Sequence, residues 1–219
     1  MSETFEIARK NMVVNQLRPN KIKEENILKI FENTPKENYL DVSLGKNCYL
    51  DNNLDITDKR GYLKNLHLAQ IIKYSNILTS DKVLHIGGLT GYFSTLISSL
   101  CEELHVVEEN KKLFKLLEQN IKNIDATNIH LFNKNLLDGL NDKAPFNLII
   151  IDGPMFEISD HLKKQLVTNG GRLIYIKKIY DNLGKAYKII RNENLYSSEY
   201  LFDVMSSYQI QEQQGDFKF

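Results

Sequence analysis

From residue 82 onward the chain alternates short apolar segments with amphipathic ones, and this alternation limits its fold more than any other feature of the sequence. The apolar segments have the length of buried strands, and the stretches between them carry leucine and isoleucine at helical spacing. Short strands that alternate with helices form a parallel sheet with helices on both faces. We expect strands at residues 83–86, 104–107, 129–132, 148–151 and 172–176.

The segments on either side of this region follow different patterns. Residues 1–80 carry apolar side chains at helical spacing, with breaks at Pro19 and before Pro35, and a stretch dense in Asn and Asp at 47–57 is loop-like. We predict a helical extension over residues 1–80, packed as one structural unit on an α/β domain over residues 81–219. Near the end of the chain, "AYKIIRNENLYSSEYLFDV" and "DFKF" predict antiparallel strands at the sheet edge.

Composition excludes several classes of function. The 219 residues include 28 basic and 28 acidic ones, so the chain lacks the excess charge that would concentrate nucleic acid or an anionic membrane surface. A local basic cluster at 177–191 is interpreted as a solvated face. The N-terminus is charged and the apolar runs are too short to span a bilayer, which predicts a cytoplasmic protein with no membrane partner. The two cysteines, Cys48 and Cys101, suit a reducing compartment, and no histidine or cysteine spacing indicates a metal site.

The stretch "KVLHIGGLTGYFS" at residues 82–94 joins a predicted strand to a helix through a turn with three glycines. In an open parallel sheet, ligands bind beyond the carboxyl ends of the strands, where such turns lie. Glycine lets the backbone turn sharply and approach a ligand closely. Glu108 closes the next strand, twenty-one residues after Gly87, at a position where an acid can bind both hydroxyls of a ribose. The two features together predict a nucleoside-containing cofactor.

The glycine spacing distinguishes between two classes of cofactor. Dinucleotide-binding turns have the pattern G-x-G-x-x-G, which Gly87, Gly88 and Gly91 do not fit. The looser G-x-G-x-G of S-adenosylmethionine-binding turns fits at Gly87 and Gly91, with Leu89 in place of the middle glycine. The spacing therefore favours S-adenosyl-L-methionine. A purely structural alternative stays open, in which the glycines only form a tight turn and Glu108 is a solvated strand end.

The chain as a whole resembles the protein-L-isoaspartate O-methyltransferase family, and especially its alphaproteobacterial branch. The segments that carry the resemblance follow the family's order: "NQLRP", "TPKENY", "CYLDNNLDI", "KVLHIGGLTGY", "VVEEN", "FNLIIIDGPMFEIS" and "LVTNGGRLIYI". The resemblance implies a Rossmann-like S-adenosylmethionine-dependent methyltransferase fold. In that fold a mostly parallel doubly wound sheet ends in antiparallel C-terminal edge strands and carries an N-terminal helical extension. The resemblance also implies S-adenosyl-L-methionine as cofactor and isoaspartyl-containing peptides or proteins as substrates, in protein repair.

The resemblance also locates the cofactor residues by position. His85 stands where the family's first strand commonly ends in an acid that binds the methionine amino group. Asn135 follows the third strand, where a side chain usually meets the adenine. On the substrate side, Tyr62-Leu63-Lys64-Asn65-Leu66 replaces a Thr-Ile-Ser segment. No catalytic side chain is assigned, and the predicted cofactor-binding residues are His85, Gly87, Gly88, Thr90, Gly91, Glu108 and Asn135.

Carboxyl methylation requires little catalytic machinery. An isoaspartyl carboxylate with a pKa near ~4 is ionised at pH 7 and needs no general base, whereas a phenol, a ribose hydroxyl or an amine needs a base or a metal. The sequence offers no evident base, and Asp152 is the acid best placed to act as one. Three hypotheses stay open: an isoaspartyl methyltransferase, a methyltransferase-like binding module that has lost catalysis, and a methyltransferase with another acceptor that uses Asp152 or the basic cluster.

Overall fold

A central sheet dominates the computed structural model, which describes residues 2–124 and 126–210. The strands are β1 (Leu54–Asp55), β2 (Gly61–Tyr62), β3 (Lys82–Ile86), β4 (Glu103–Val107), β5 (Ile129–Phe132), β6 (Leu148–Met155), β7 (Asn169–Tyr180), β8 (Leu183–Asn192) and β9 (Leu195–Met205). The last seven form one sheet in the order β5-β4-β3-β6-β7-β8-β9. It is parallel from β5 to β7 and antiparallel beyond β7.

The helices cover both faces of this sheet. They are α1 (Ser2–Met12), α2 (Glu25–Asn33), α3 (Val42–Gly45), α4 (Asn65–Ser75), α5 (Tyr92–Ser98), α6 (Lys111–Lys122) and α7 (Asp160–Lys164). A π-helical turn at Val13–Leu17 continues α1. Across residues 2–124 and 126–210, each helix is too short or too polar to cross a lipid bilayer.

The parallel register brings the carboxyl ends of three strands to one edge of the sheet. Ile86 of β3 pairs with Val107 of β4 on one side and with Ile151 of β6 on the other. The loops that follow these residues therefore meet at the edge where open α/β sheets bind ligands. The predicted α/β fold with a mostly parallel sheet is confirmed.

Two strands are longer than the apolar pattern predicts. β6 continues to Met155 after a bulge between Ile150 and Pro154, and β7 runs to Tyr180 because it pairs with β8 as a long hairpin. The antiparallel strands predicted at the sheet edge are β8 and β9, whereas the predicted strand at "DFKF" lies outside the described residues.

The helical region and the sheet share a hydrophobic core. Successive residues of β3 point to opposite faces, so that Val83 belongs to one core cluster and Leu84 to the other. The first cluster also contains Leu17, Phe31 and Leu68 from the helical region, all fully buried. Burial of side chains from both regions in one cluster fixes the helices against the sheet.

A short hairpin in the stretch interpreted as loop-like approaches the strand ends. Leu54 and Asp55 pair antiparallel with Tyr62 and Gly61, so this part of the predicted loop is a two-residue strand. We call residues 54–62 the Arg60 arm. Two paired residues on each side do not form a stable hairpin alone, and the arm therefore depends on the contacts described below.

Candidate functional site

The glycine turn lies over the carboxyl ends of β3 and β4. The amides of Gly87 and Gly88 both donate to the carbonyl of Val107, at 3.0 and 3.3 Å. Gly87 and Gly91 have φ of 102° and 101°, a region that glycine tolerates and other residues rarely enter. Leu89, which stands in place of a middle glycine, also has a positive φ, of 49°. The turn thus has the sharp conformation that its glycines predict.

Close packing explains why residue 87 is a glycine. A Cβ atom there would lie 2.8 Å from Oδ1 of Asp152 and 3.3 Å from Nη2 of Arg60. Both neighbours belong to other parts of the chain, strand β6 and the Arg60 arm. Backbone and charged side chains therefore meet at Gly87 without space for a further carbon.

Glu108 follows β4, and its side chain is fully buried. Its Oε1 accepts hydrogen bonds from Arg60 Nη1 at 2.7 Å and from the Asn110 amide at 2.9 Å. Its Oε2 accepts from Arg60 Nη2 at 2.8 Å and from the Leu89 amide at 2.9 Å. Since an ionised carboxylate has about four acceptor positions, these bonds fill the acceptor capacity of Glu108.

Arg60 supplies two of these four bonds from the turn of its arm. The carbonyl of Arg60 accepts the amides of Ile56 and Thr57, which holds the turn closed behind the side chain. The side chain is 12% exposed. Burial lowers the pKa of Arg60, but the hydrogen bonds and negative charge of Glu108 more than offset this, so the pKa lies above its ordinary value. The result is a planar, two-bond ion pair within the protein.

The last described residues cover the Arg60 arm. In this C-terminal segment, residues 206–210, the hydroxyl of Tyr208 donates to Oδ1 of Asp55 at 2.6 Å. The amide of Ile210 donates to the carbonyl of Pro154 at 2.8 Å. The segment therefore ties the arm to the end of β6.

Tyr62 closes the other side of the glycine turn. Its hydroxyl accepts the amides of Thr90 and Tyr92 at 3.2 and 3.1 Å, and lies 2.9 Å from Oγ1 of Thr90. The bond from Tyr92 satisfies the first amide of α5, which has no helical partner, and the bond from Thr90 satisfies an amide of the glycine turn. The buried ammonium of Lys36 lies 5.3 Å from the ring of Tyr62, and burial lowers the pKa of Lys36 to about 8. Tyr62 thus satisfies amides of the glycine turn from inside the protein.

His85 lies within β3 and is fully buried. Its Nδ1 is 2.9 Å from the hydroxyl of Ser94, and its Nε2 is 3.5 Å from Oδ2 of Asp152. The ring also meets Phe93 edge-on, with 5.4 Å between centroids. The imidazole is therefore enclosed between α5 and the carboxylate that ends the apolar run of β6.

The structure brings most of the sequence-predicted cofactor residues together. The three turn glycines, Thr90 and Glu108 meet at the ends of β3 and β4, with His85 just inside β3. Asn135 is exposed in the loop after β5, where its side chain accepts the amide of Leu137 at 2.8 Å. The described residues bring together no three side chains placed to hold a metal ion.

The residue types at this edge suit a ribose-containing cofactor, but the arrangement is closed. The cavity left between Arg60, Leu89, Asp152 and Ile210 measures about 10 Å³. Small-molecule sites commonly measure about 300–1,000 Å³. A cavity of about 490 Å³ lies elsewhere, between α1 and α3, and one of about 300 Å³ lies beside the glycine turn, where Thr90 and Ile56 line it. Because Arg60 occupies two acceptor positions of Glu108, a ribose can bind at these positions only when Arg60 moves.

Sequence reasoning misses the residues that close the site. Arg60 is 48 positions from Glu108 and stands in a charged turn, "TDKRGY", that looks like solvated loop. Tyr208 lies 153 positions from its partner Asp55. The local signal available is the glycine and aromatic pair Gly61–Tyr62 directly after Arg60, a pair that the structure buries, so this turn ends inside the protein.

Comparison with protein families gives one match over most of the chain. The family described as protein-L-isoaspartate(D-aspartate) O-methyltransferase matches residues 8–204. A protein-L-isoaspartate O-methyltransferase of Koribacter versatilis is 27% identical over 170 residues, 78% of this chain and 76% of the relative. One from Shewanella woodyi is 29% identical over 187 residues, 85% of this chain and 87% of the relative.

Solved structures show the same fold. A protein-L-isoaspartate O-methyltransferase structure superposes with a TM-score of 0.77 at 19% identity, over 90% of this chain and 65% of that one. A second, from Plasmodium falciparum, gives a TM-score of 0.74 at 19% identity, over 93% of this chain and 99% of that one. The second is described as a putative methyltransferase of this kind in complex with S-adenosyl-L-homocysteine.

Proposed function

Because this chain belongs to the protein-L-isoaspartate O-methyltransferase family, we propose that it transfers a methyl group from S-adenosyl-L-methionine to the carboxylate of L-isoaspartyl residues in damaged proteins, as a repair reaction. The observation that carries this proposal is the family match over residues 8–204. The placement of Glu108 and the glycine turn at the carboxyl ends of β3 and β4 supports it, since open α/β sheets bind nucleoside cofactors at that edge.

Several residues of this edge would hold the cofactor. Glu108 is the proposed acceptor for the ribose hydroxyls, and the turn at Gly87, Gly88, Thr90 and Gly91 is the proposed backbone wall. His85 would face the methionine end and Asn135 the adenine, as their positions in the family imply. When bound, S-adenosyl-L-methionine supplies an electrophilic methyl group.

The acceptor chemistry fits a site without a free base. At pH 7 an isoaspartyl carboxylate is ionised, so the protein has to bind it, orient it and exclude water. Asp152 is the acid that could serve as a base for other acceptors. It is 6% exposed, and its Oδ2 lies 3.5 Å from Nε2 of His85. Its contact with His85 favours a carboxylate acceptor, which needs no base, over an acceptor that would need Asp152 as a base.

The proposed partners are isoaspartyl-containing peptides and proteins, in the cytoplasm. The balanced charge supports a protein substrate over nucleic acid. Within the basic cluster, Lys188 pairs with Glu199, and Arg191 donates to the carbonyls of Lys164 and Leu166. Both cysteines are free thiols, which suits a reducing compartment.

A labelled-methyl assay tests the proposal. The purified protein is incubated with methyl-labelled S-adenosyl-L-methionine and one of two peptides of the same sequence, containing isoaspartate or normal aspartate. We expect label in the isoaspartyl peptide and background counts in the aspartyl control. Transfer to a phenol or to RNA, with none to the isoaspartyl peptide, would assign a different acceptor.

The filled acceptor positions of Glu108 favour a second candidate, a binding module of the same fold that has lost transfer. The assay distinguishes the two when it is combined with calorimetry. A protein that binds S-adenosyl-L-homocysteine but methylates neither peptide is the binding module.

A further inference from the structure

We infer that Arg60 is an internal ligand of the cofactor acid, and that the cofactor site opens only when the Arg60 arm swings away from Glu108. This inference rests on the proposed function, since it concerns regulation of the same site. Three features carry the inference: the geometry of the Arg60–Glu108 pair, the short pairing of the arm with its anchor at Tyr62, and the closure of the edge by the C-terminal segment.

Arg60 offers Glu108 the same kind of bonding that a ribose would offer. Its two Nη atoms donate separately to the two carboxylate oxygens, at 2.7 and 2.8 Å. The two neighbouring hydroxyls of a ribose are likewise a pair of donors on one rigid group. The remaining acceptor positions already hold the Leu89 and Asn110 amides. Arg60 and a ribose therefore compete for the same two positions on Glu108.

The arm that carries Arg60 is attached in a way that permits movement. Its strands pair over two residues on each side, and its turn is closed by hydrogen bonds within residues 56–60. On one side the buried ring of Tyr62 anchors the arm to α5. On the other side the C-terminal segment holds it down, because the hydroxyl of Tyr208 donates to Asp55 and the amide of Gln209 donates to the carbonyl of Lys59 at 2.9 Å. Release of this segment and of the Arg60–Glu108 pair leaves a short hairpin fixed at one end, the usual form of a hinged element.

The C-terminal segment adds a second closure over the same edge. A Cβ atom at Gly153 would lie 2.7 Å from Cγ1 of Ile210, so the segment is seated directly on the backbone of β6. Ile210 also lies near Gly87, where its Cδ1 would be 3.5 Å from a Cβ atom. The cavity of about 10 Å³ is bounded by this segment and by Arg60. The two closures therefore have to open together.

Competition of this kind lowers the apparent affinity for the cofactor. When only a fraction of the protein is open, the measured Kd equals the intrinsic Kd divided by that fraction. A variant that cannot close should bind more tightly, by the factor that closure removes. An open fraction of about a tenth or less would correspond to a gain of at least about tenfold.

Calorimetric titration with S-adenosyl-L-homocysteine tests the inference on the full chain. Arg60→Met keeps a long side chain but removes both donors to Glu108, and should lower the Kd at least about tenfold. Tyr208→Phe removes the hydroxyl bond to Asp55 without touching Glu108, and should lower the Kd by a smaller factor. The matched control is Arg18→Met, because Arg18 forms a similar two-bond pair with Glu25 on the surface, at 2.9 and 3.2 Å. This control variant should leave the Kd unchanged.

The outcomes separate this inference from the proposed function. Tighter binding by Arg60→Met and Tyr208→Phe supports internal competition. If the wild type binds and both variants have a Kd equal to or higher than that of the wild type, the inference is overturned and the proposed function stays intact. Absence of binding by the wild type and by both variants, each with a cooperative thermal transition, contradicts the cofactor site itself and the inference with it. If Arg60→Met does not fold, Tyr208→Phe alone decides.

Discussion

At the scale of single residues, burial distinguishes the Arg60–Glu108 ion pair at the proposed site from a similar ion pair on the surface. Arg60–Glu108 and Arg18–Glu25 have the same two-bond geometry. The side chains of the first pair are 12% and 0% exposed, and those of the second 47% and 60%. A buried charge is stabilised by its partner, whereas an exposed charge is stabilised by water as well.

Loss of the carboxylate should therefore cost far more in the buried pair. Glu108→Gln leaves the guanidinium of Arg60 without its hydrogen-bonded carboxylate inside the protein and should lower the free energy of unfolding by about 3–5 kcal/mol. Glu25→Gln should lower it by less than about 1 kcal/mol. Urea denaturation of the two variants measures the difference. Equal losses would mean that the Arg60–Glu108 pair does not exist in solution.

Individual site residues differ in how far the sequence predicts them. Glu108 is predictable because its distance from Gly87 and its place after a strand are local features. Arg60 is not, because its partner is 48 residues away and only the folded arrangement brings them together. The role of His85 toward a cofactor stays a prediction, as do those of the turn residues and of Asn135.

At the scale of elements, the sequence predicts what depends on periodicity. β3 to β7 and the amphipathic α6 follow from apolar spacing. β1 is missed because two residues in an Asn-rich stretch have no periodicity, and their pairing with β2 depends on contacts with Tyr62 and Tyr208. The extensions of β6 and β7 depend on their sheet neighbours in the same way.

The face shared by β4 and β5 carries an acid-sensitive histidine. His105 is 2% exposed, its ring stacks on Phe132 with 5.6 Å between centroids, and burial lowers its pKa to about 4. Between the unfolded pKa of about 6.5 and the folded value, the unfolded chain binds more protons. This histidine therefore reduces stability as the pH falls through that interval.

His105→Phe should remove this loss, which amounts to about 3 kcal/mol at pH 4. The phenyl ring can stack on Phe132 as the imidazole does and leaves no buried nitrogen without a partner, such as Nδ1 of His105. Denaturation of the wild type and the variant at pH 7, 5.5 and 4 measures the effect, with the exposed His161→Phe as control. A stability difference that stays constant over these pH values would refute the assignment.

At the scale of the whole molecule, the family fold occurs together with a closed arrangement at the edge where we propose that the cofactor binds. The fold follows from strand and helix patterns, and the shared core of helices and sheet follows from apolar faces. The closure follows from three distant segments, at residues 54–62, 108 and 206–210, that meet at one end of the sheet. This contact between distant segments is a property of the tertiary structure and cannot be predicted from any one of the segments.

A crystal structure of the protein grown with S-adenosyl-L-homocysteine tests most directly whether the cofactor displaces Arg60 from Glu108. We expect ligand density at the carboxyl ends of β3 and β4, with the ribose hydroxyls on Glu108 and the guanidinium of Arg60 displaced from it. Ligand density at another site, with the Arg60–Glu108 pair intact, would contradict both the assigned cofactor edge and the competition at Glu108.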